Sequence, residues 1–306
     1  MFRDILVPLD GSRFAEASLP LAARIAKSAG ARLHLMLVHE PMVPLAGMGG
    51  LPIPALNLDE EVMAREHSYL ADLAARWREP SGVPVGVRSI EGRAGPDVCE
   101  EASRLSADLV VMTTHGRGTL RRLWLGSVAD YVIRHLTLPV LLVPRRDESQ
   151  PPPEHRLRHL LVALDLSREA EAILKPVTML AGLTQAEITL IYIAESLVEI
   201  PGIGVPGPVL ENASPAATMR AYAERHLEQL ADRLRAKDIR TATRVSTDTS
   251  AAEGLLAALD DDAFDGIAMT THGVGGFRRF LLGSVADKIV RSATKPVLVL
   301  RPSSGV

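Results

Sequence analysis

The chain has 306 residues, 47% of them hydrophobic and 23% charged, with a formal net charge of −3. That length suits two domains of about 150 residues better than a single core, and the near-neutral balance supplies no basic footprint for nucleic acid or an anionic membrane. A single cysteine, Cys99, rules out an intrachain disulfide and any multi-cysteine metal site, a usage that fits a reducing cytoplasm.

The N-terminal MFRDILVPLDGS interrupts its apolar run with Asp4 and Pro8, so it reads as a first strand and not as a signal sequence. Nowhere do about 18 apolar residues run together, so a soluble, unexported protein without a membrane span is expected. Asp4 to Leu9 is strand-like and ends on Asp10-Gly11-Ser12, with Ser12 placed to cap the helix that follows and Gly30 to close it. Pro20 falls inside this helical pattern and lacks a backbone donor, which predicts a bend or a break. Arg32 to His39 is the second strand. Residues 41–57 carry four prolines and three glycines and predict an irregular excursion of the length of a lid. The pattern then predicts a helix over Leu58–Arg78, a strand over Val85–Ile90, a helix over Pro96–Leu105, a fourth strand over Leu109–Met112 and a fifth over Leu138–Pro144.

Residues 147–155 are polar and proline-rich, the composition of a stiff linker, which sets domains at 1–146 and 156–306. After it the order begins again. His159–Leu164 is a strand ending on Asp165, and Glu187–Ala194 is the second strand. A Pro/Gly-rich excursion covers 199–215. Ala217–Lys237 is a helix, Thr241–Ser246 a strand, Ala251–Leu259 a helix, Gly266–Met269 a strand and Pro296–Arg301 the last. Strands alternating with helices predict βαβ units, right-handed crossovers and two parallel sheets covered on both faces.

The strongest internal signal is the stretch from Met112 to Arg134, MTTHGRGTLRRLWLGSVADYVIR, which returns 157 residues later at Met269 to Arg291 as MTTHGVGGFRRFLLGSVADKIVR. Each copy leaves an apolar strand, crosses a glycine-containing loop and enters a helix at Gly-Ser. Such a loop leaves amides unpaired at the positive end of a helix dipole and suits an anion such as phosphate. The plain alternative is a strand-to-helix connection capped by Ser127 and Ser284. In parallel sheets ligands sit beyond the carboxyl ends of the strands where the strand order reverses, which would bring Asp10 and the loop after strand four to one crevice.

These residues resemble the universal stress protein family, and the doubling resembles its tandem type. The resemblance implies an adenine-nucleotide alpha-hydrolase-like fold: two tandem five-stranded parallel open sheets, order 3-2-1-4-5, with helices on both faces. ATP-binding members of that family carry G-x2-G-x9-G-(S/T) after strand four; here the pattern reads Thr113-x2-Gly116-x9-Gly126-Ser127 and Thr270-x2-Gly273-x9-Gly283-Ser284. The first glycine is therefore threonine in both halves. Its Cβ and hydroxyl either narrow the site or add a donor to it. By the same resemblance Asp10 and Asp165 accept a hydrogen bond from the adenine amino group, and the backbone of Val38 and Ile193 meets the base edge. The phosphates of ATP, with magnesium, lie on the amides of Gly116, Gly126, Ser127 and Val128, and of Gly273, Gly283, Ser284 and Val285. Both aspartates also suit the start of a helix electrostatically. The family further implies pairing through fifth strands, as an internal pseudo-dimer with room for a further homodimer.

His115 and His272 invite a metal or catalytic role but have no second ligand nearby in sequence. Arg121-Arg122 and Arg278-Arg279 suit either a triphosphate or solvent. There is no Walker A sequence, and Gly202-Ile-Gly-Val-Pro-Gly207 opens no helix. No positioned base is evident, so binding with little or no turnover is expected, with ATP occupancy biasing a protein partner in the cytoplasm; a slow nucleotide hydrolase or transferase, and a nucleotide-free interaction protein, are the alternatives. If one half alone binds, the first is favoured, because its Asp10-Gly11 turn is smaller and Gly92 and Gly95 are expected to keep the neighbouring loop open.

Overall fold

The computed structural model describes residues 1–41, 56–114, 125–144, 155–195, 215–261, 263–271 and 282–302. The chain divides into two compact units, Met1–Glu154 and His155–Val306. The linker expected at 147–155 lies, up to residue 154, outside the described residues, as do most of the two Pro/Gly-rich excursions.

In the first unit the order is β1 (Asp4–Leu9), α1 (Arg13–Glu16), α2 (Leu19–Ala29), β2 (Arg32–His39), α3 (Leu56–Ser81), β3 (Val85–Glu91), α4 (Ala94–Arg104), β4 (Leu109–Thr113), α5 (Ser127–His135) and β5 (Val140–Val143). Its strands lie in the order β3-β2-β1-β4-β5, all parallel. The second unit repeats this with β6 (His159–Ala163), α6 (Arg168–Glu171), α7 (Leu174–Thr184), β7 (Glu187–Glu195), α8 (Pro215–Arg235), β8 (Thr241–Asp248), α9 (Ala251–Asp260), β9 (Gly266–Thr270), α10 (Ser284–Ser292) and β10 (Val297–Leu300), in the order β8-β7-β6-β9-β10, again parallel. The expected order 3-2-1-4-5 thus occurs twice.

Right-handed crossovers that move outward in opposite directions from the central strand must cover opposite faces of the sheet. Accordingly α2 packs with α3 and α4 packs with α5, each pair as its own layer. The inner strands are buried almost throughout, as in Ile5, Leu6 and Val7 of β1 and Leu109, Val110 and Val111 of β4. That is why they read as continuous apolar runs and do not alternate.

Pro20 acts as expected. The first helical pattern breaks after Glu16 and restarts as α2, with the proline in its first turn where no donor is missed. Gly30 closes α2 at φ 64°. The short helix is tied to the long one in each unit: Tyr69 donates to Glu16 over 3.1 Å, and His226 lies 3.3 Å from Glu171. Burial, and then the Glu16 charge, push the Tyr69 phenol far above its usual range. No helix among the described residues is long and apolar enough to cross a membrane.

Candidate functional site

At the amino end of each sheet a carboxylate clamps the two central strands. Asp108 accepts from the amides of Arg3 (2.6 Å) and Asp4 (3.2 Å), and Asp265 from those of Arg158 (2.8 Å) and His159 (2.9 Å). At the carboxyl end the same strands part. β1 pairs with β4 at Ile5–Leu109 and Leu6–Val110, whereas its pairing with β2 runs on to Leu9–Leu37. A crevice therefore opens between β1 and β4 where the strand order reverses, the place at which open α/β sheets take ligands.

Asp10 stands on this edge. Continuing the register by one residue sets it level with Val38 on β2, and by four residues level with Thr114 beyond β4. The second unit places Asp165 level with Ile193 and Thr271 in the same way. Each aspartate also builds its own turn. Asp10 Oδ1 accepts from the Ser12 amide (2.9 Å) and hydroxyl (2.6 Å), and Ser12 Oγ caps α1 by accepting from the Ala15 amide at 3.2 Å. Asp165, Ser167 and Ala170 repeat these bonds at 3.0, 2.5 and 3.1 Å. The residue between differs. Gly11 sits at φ 78° and Leu166 at φ 67°, so the second unit holds a branched side chain in the left-handed region.

The strand-four loop is closed at its base. Gly126 N–H donates to the Thr114 carbonyl at 2.8 Å, and Gly283 N–H to that of Thr271 at 2.9 Å. Here an expectation is corrected: Ser127 and Ser284 are not the caps. The caps are Gly126 and Gly283, with no side-chain capping bond, and the serines are the first helical residues. The first intrahelical bond of α5 runs from Asp130 N–H to Gly126 at 2.9 Å, and that of α10 from Asp287 to Gly283 at 2.8 Å. The amides of Ser127, Val128 and Ala129, and of Ser284, Val285 and Ala286, thus have no partner within their helices. Ser127 and Ser284 are exposed. The first-turn acids Asp130 and Asp287 are each ion-paired four residues on, to Arg134 and Arg291, both at 2.8 Å, which limits how far they offset the positive helix end. Thr113 and Thr270 close their strands as buried residues, each 7% exposed. Gly116, Gly273, His115, His272 and the Arg121-Arg122 and Arg278-Arg279 pairs lie outside the described residues.

A second expectation is overturned. Gly92 and Gly95 do not keep a loop open, because each is filled by a neighbour. A Cβ on Gly92 would fall on the Asp97 carboxylate, and one on Gly95 would stand 2.8 Å from Tyr131 Cγ. The second unit shows the compensation residue by residue. Where the first has Gly92 with Asp97, it has Thr249 with Gly254, at which a Cβ would stand only 3.1 Å from Ile193. Where the first has Gly95 with Tyr131, it has Ala252 with Lys288.

Sequence reasoning missed two carboxylates beside the crevice. Glu40 accepts from Ala94 N–H at 2.9 Å and Glu195 from Ala251 N–H at 2.9 Å, each capping the helix after the third strand from the end of the second. A partner 54 to 56 residues away leaves no local signal, although Glu40 and Glu195 stand at the same place in the repeat. Tyr192 was also missed. Burial, then the charges of Glu195 and Asp165, raise its phenol above the usual range, and the first unit has Leu37 there.

A family model for the universal stress protein family matches residues 1–144 and again 156–301. A universal stress protein of Mycolicibacterium smegmatis is 28% identical over 302 residues, 97% of each chain. One from Methanocaldococcus jannaschii is 31% identical over 146 residues, 47% of this chain and 84% of that one. The crystal structure of a universal stress protein from Archaeoglobus fulgidus shares the fold at 18% identity, with a TM-score of 0.65 over 98% of this chain and 97% of that one. Two parallel sheets of the same order, each with its aspartate and glycine-capped helix at the reversal point and each matched separately by the same model, make this chain a tandem member of the universal stress protein family.

Proposed function

We propose that each unit is an adenine-nucleotide site, and that the chain binds ATP with magnesium and serves as a nucleotide-responsive stress or signalling adaptor with little or no turnover. One observation carries this: twice in one chain, an aspartate at the end of the central strand lies level with the threonine that anchors a helix whose cap is a glycine and whose first-turn amides lack partners within the helix. Uncapped amides at the positive end of a helix favour an anion, and a glycine cap lets it come close. Asp10 and Asp165 then accept from the adenine amino group, beside the backbone of Val38 and Ile193. The amides of Ser127 and Val128, and of Ser284 and Val285, take the phosphates, together with Gly116 and Gly273, while Gly126 and Gly283, whose own N–H groups are held by Thr114 and Thr271, contribute their lack of a side chain and not a donor. Thr113 and Thr270 enter as the strand ends from which the loops spring.

Equilibrium dialysis of the full chain with ATP and ADP tests this, beside Gly126→Val, Gly283→Val and the double variant. Gly126 has φ −58° and ψ 143° and Gly283 −60° and 148°, angles open to any residue, so valine obstructs the ligand without straining the backbone. Each single change is expected to remove one equivalent of bound nucleotide. An unaltered chain that binds none at millimolar ATP overturns the proposal, and phosphate release surviving in the double variant places any turnover elsewhere.

A further inference from the structure

The helix after the third strand of each unit is capped from a distance. Arg93 at the cap of α4 makes no side-chain capping bond, and Ser250 at the cap of α9 makes none either, although serine is among the best capping residues. The acceptor comes instead from the end of the second strand: Glu40 Oε1 takes the Ala94 N–H and Glu195 Oε1 the Ala251 N–H, both at 2.9 Å. A local side chain would serve the helix start as well. An acceptor from another strand also fastens two elements together.

What it fastens is the strand end beside the crevice. Arg32 N–H donates to Arg3 and Leu33 N–H to Pro84. Backbone groups alternate sides along a parallel strand, so the even-numbered residues of β2 face β1 and the odd-numbered ones face β3. Val38 therefore turns its backbone groups toward β1, just where β1 has ended at Leu9. In the second unit Glu187 N–H donates to Arg158 and Ile188 N–H to Arg240, which turns Ile193 toward β6 in the same way. Glu40 and Glu195 each follow two residues later. The far end of the tie leads to the phosphate side. The first turn of α4 meets α5 where Gly95 packs against Tyr131, and in the second unit Lys288 of α10 donates to Glu253 in the first turn of α9 at 2.8 Å.

Resting on the nucleotide reading above, we infer that Glu40 and Glu195 are positioning residues for the two sites. Each braces the base-edge backbone, Val38 or Ile193, against α4 or α9, the helix on which the phosphate-binding helix packs. Neither glutamate needs to touch the ligand. With the carboxylate gone, the end of β2 or β7 loses its hold on the base, while α5 or α10 keeps its packing and its free amides.

The test separates the two ends of the nucleotide by titrating the full chain with adenosine, inorganic tripolyphosphate and ATP in a calorimeter. Glu40→Ala should weaken adenosine and ATP about tenfold at one of the two equivalents, the scale of a lost helix cap, and Glu195→Ala at the other. Tripolyphosphate should bind as it does to the unaltered chain. Glu40→Gln and Glu195→Gln keep an acceptor and should stay within about threefold. Adenosine bound alike by the unaltered chain and both alanine variants, a loss shared in full by tripolyphosphate, or glutamine as harmful as alanine overturns the inference. An unaltered chain that binds no ATP overturns the nucleotide reading and the brace with it, a result distinct from those three. Should an alanine variant fail to fold, hydrogen exchange in the unaltered chain decides. Adenosine must slow exchange of the Ala94 and Ala251 amides, and bound adenosine without that protection refutes the brace.

Discussion

Gly95 and Tyr131 offer a quantitative test of how α5, and with it the uncapped amides, is held in place. An alanine Cβ at position 95 would lie 2.8 Å from Tyr131 Cγ and 3.0 Å from its Cβ and Cδ1, well inside the roughly 3.5–4.0 Å of a comfortable carbon contact. Two of these atoms lie at the root of the side chain, and the ring is stacked on His135 with centroids 3.8 Å apart. Rotation therefore gives no easy escape, and α4 and α5 must separate by about half an ångström. Overpacking of this kind costs about 1–3 kcal/mol, and the better helix propensity of alanine returns up to about 1 kcal/mol. Gly95→Ala should destabilise the first unit by about 1–2 kcal/mol, a fall in midpoint temperature of about 3–6 °C for a unit of this size. Both tryptophans, Trp77 and Trp124, belong to the first unit, so their fluorescence in a urea titration reports that unit. The second unit supplies the compensating variant, Gly95→Ala with Tyr131→Lys, which copies Ala252 and Lys288. It should recover at least about 1 kcal/mol against the sum of the single changes. A cycle additive to within about 0.5 kcal/mol would refute the steric account.

Glu101 is 4% exposed and is gripped by Arg104 through two bonds of 2.7 Å and by Arg88 at 3.0 Å. The Arg104 bonds hold its carboxyl below the usual range, against burial and with help from Arg88. A carboxyl depressed in the folded state stabilises above its unfolded value of about 4.3 and loses that contribution as pH falls through the folded value. Glu101→Gln should cost about 1–3 kcal/mol at neutral pH, and denaturation curves for variant and parent should converge in acid. Cys99 is pushed up to about 11 by burial. Its alkylation at pH 8 should be roughly a hundredfold slower than that of an unhindered thiol and should accelerate toward pH 11; a rate profile centred near 8.5 would contradict its burial.

How much was legible in the sequence depends on the range of the interaction. Element types followed from local patterns and the repeat, and the strand order from the family resemblance. Ser12, Pro20 and Gly30 act through neighbours three or four residues away, and each did as its chemistry requires. The helix cap at Gly126 was misjudged because Ser127 is the better capping residue in isolation; the bond from Gly126 N–H to Thr114 pulls the helix start one residue earlier. Gly92 and Gly95 were misjudged for a related reason. A glycine beside a site signals either room for a ligand or room already taken by a side chain: Asp97 folds back on Gly92 from the first turn of α4, a contact the spacing alone does not announce, and Tyr131 reaches Gly95 from α5, beyond any local window. Glu40 and Glu195 were overlooked because a carboxylate capping a helix more than fifty residues away looks like any surface acid.

The same two-sided character bears on Asp10 and Asp165, the pair on which adenine recognition would turn. Each accepts from the amide and hydroxyl of the serine two residues on, so removing the carboxylate loosens a helix start as well as emptying a binding position. The cost should be unequal. Gly11 takes its positive φ freely, whereas Leu166 at φ 67° stores about 1–2 kcal/mol that only the surrounding turn restrains. Asp165→Ala should therefore open its turn about 1 kcal/mol more readily than Asp10→Ala opens the matching one. Hydrogen exchange resolved over residues 165–173 and 10–18 reads the difference directly. In a Leu166→Gly background the excess should vanish, since a glycine there has no strain to release. Equal exchange in the two single variants would mean that the leucine is held by its own packing, and would refute the strain assigned to it. Asp→Asn keeps the Oδ1 acceptor that organises the turn but removes the charge. Nucleotide affinity should therefore be compared in the asparagine variants, where a loss reports recognition and not a loosened helix start.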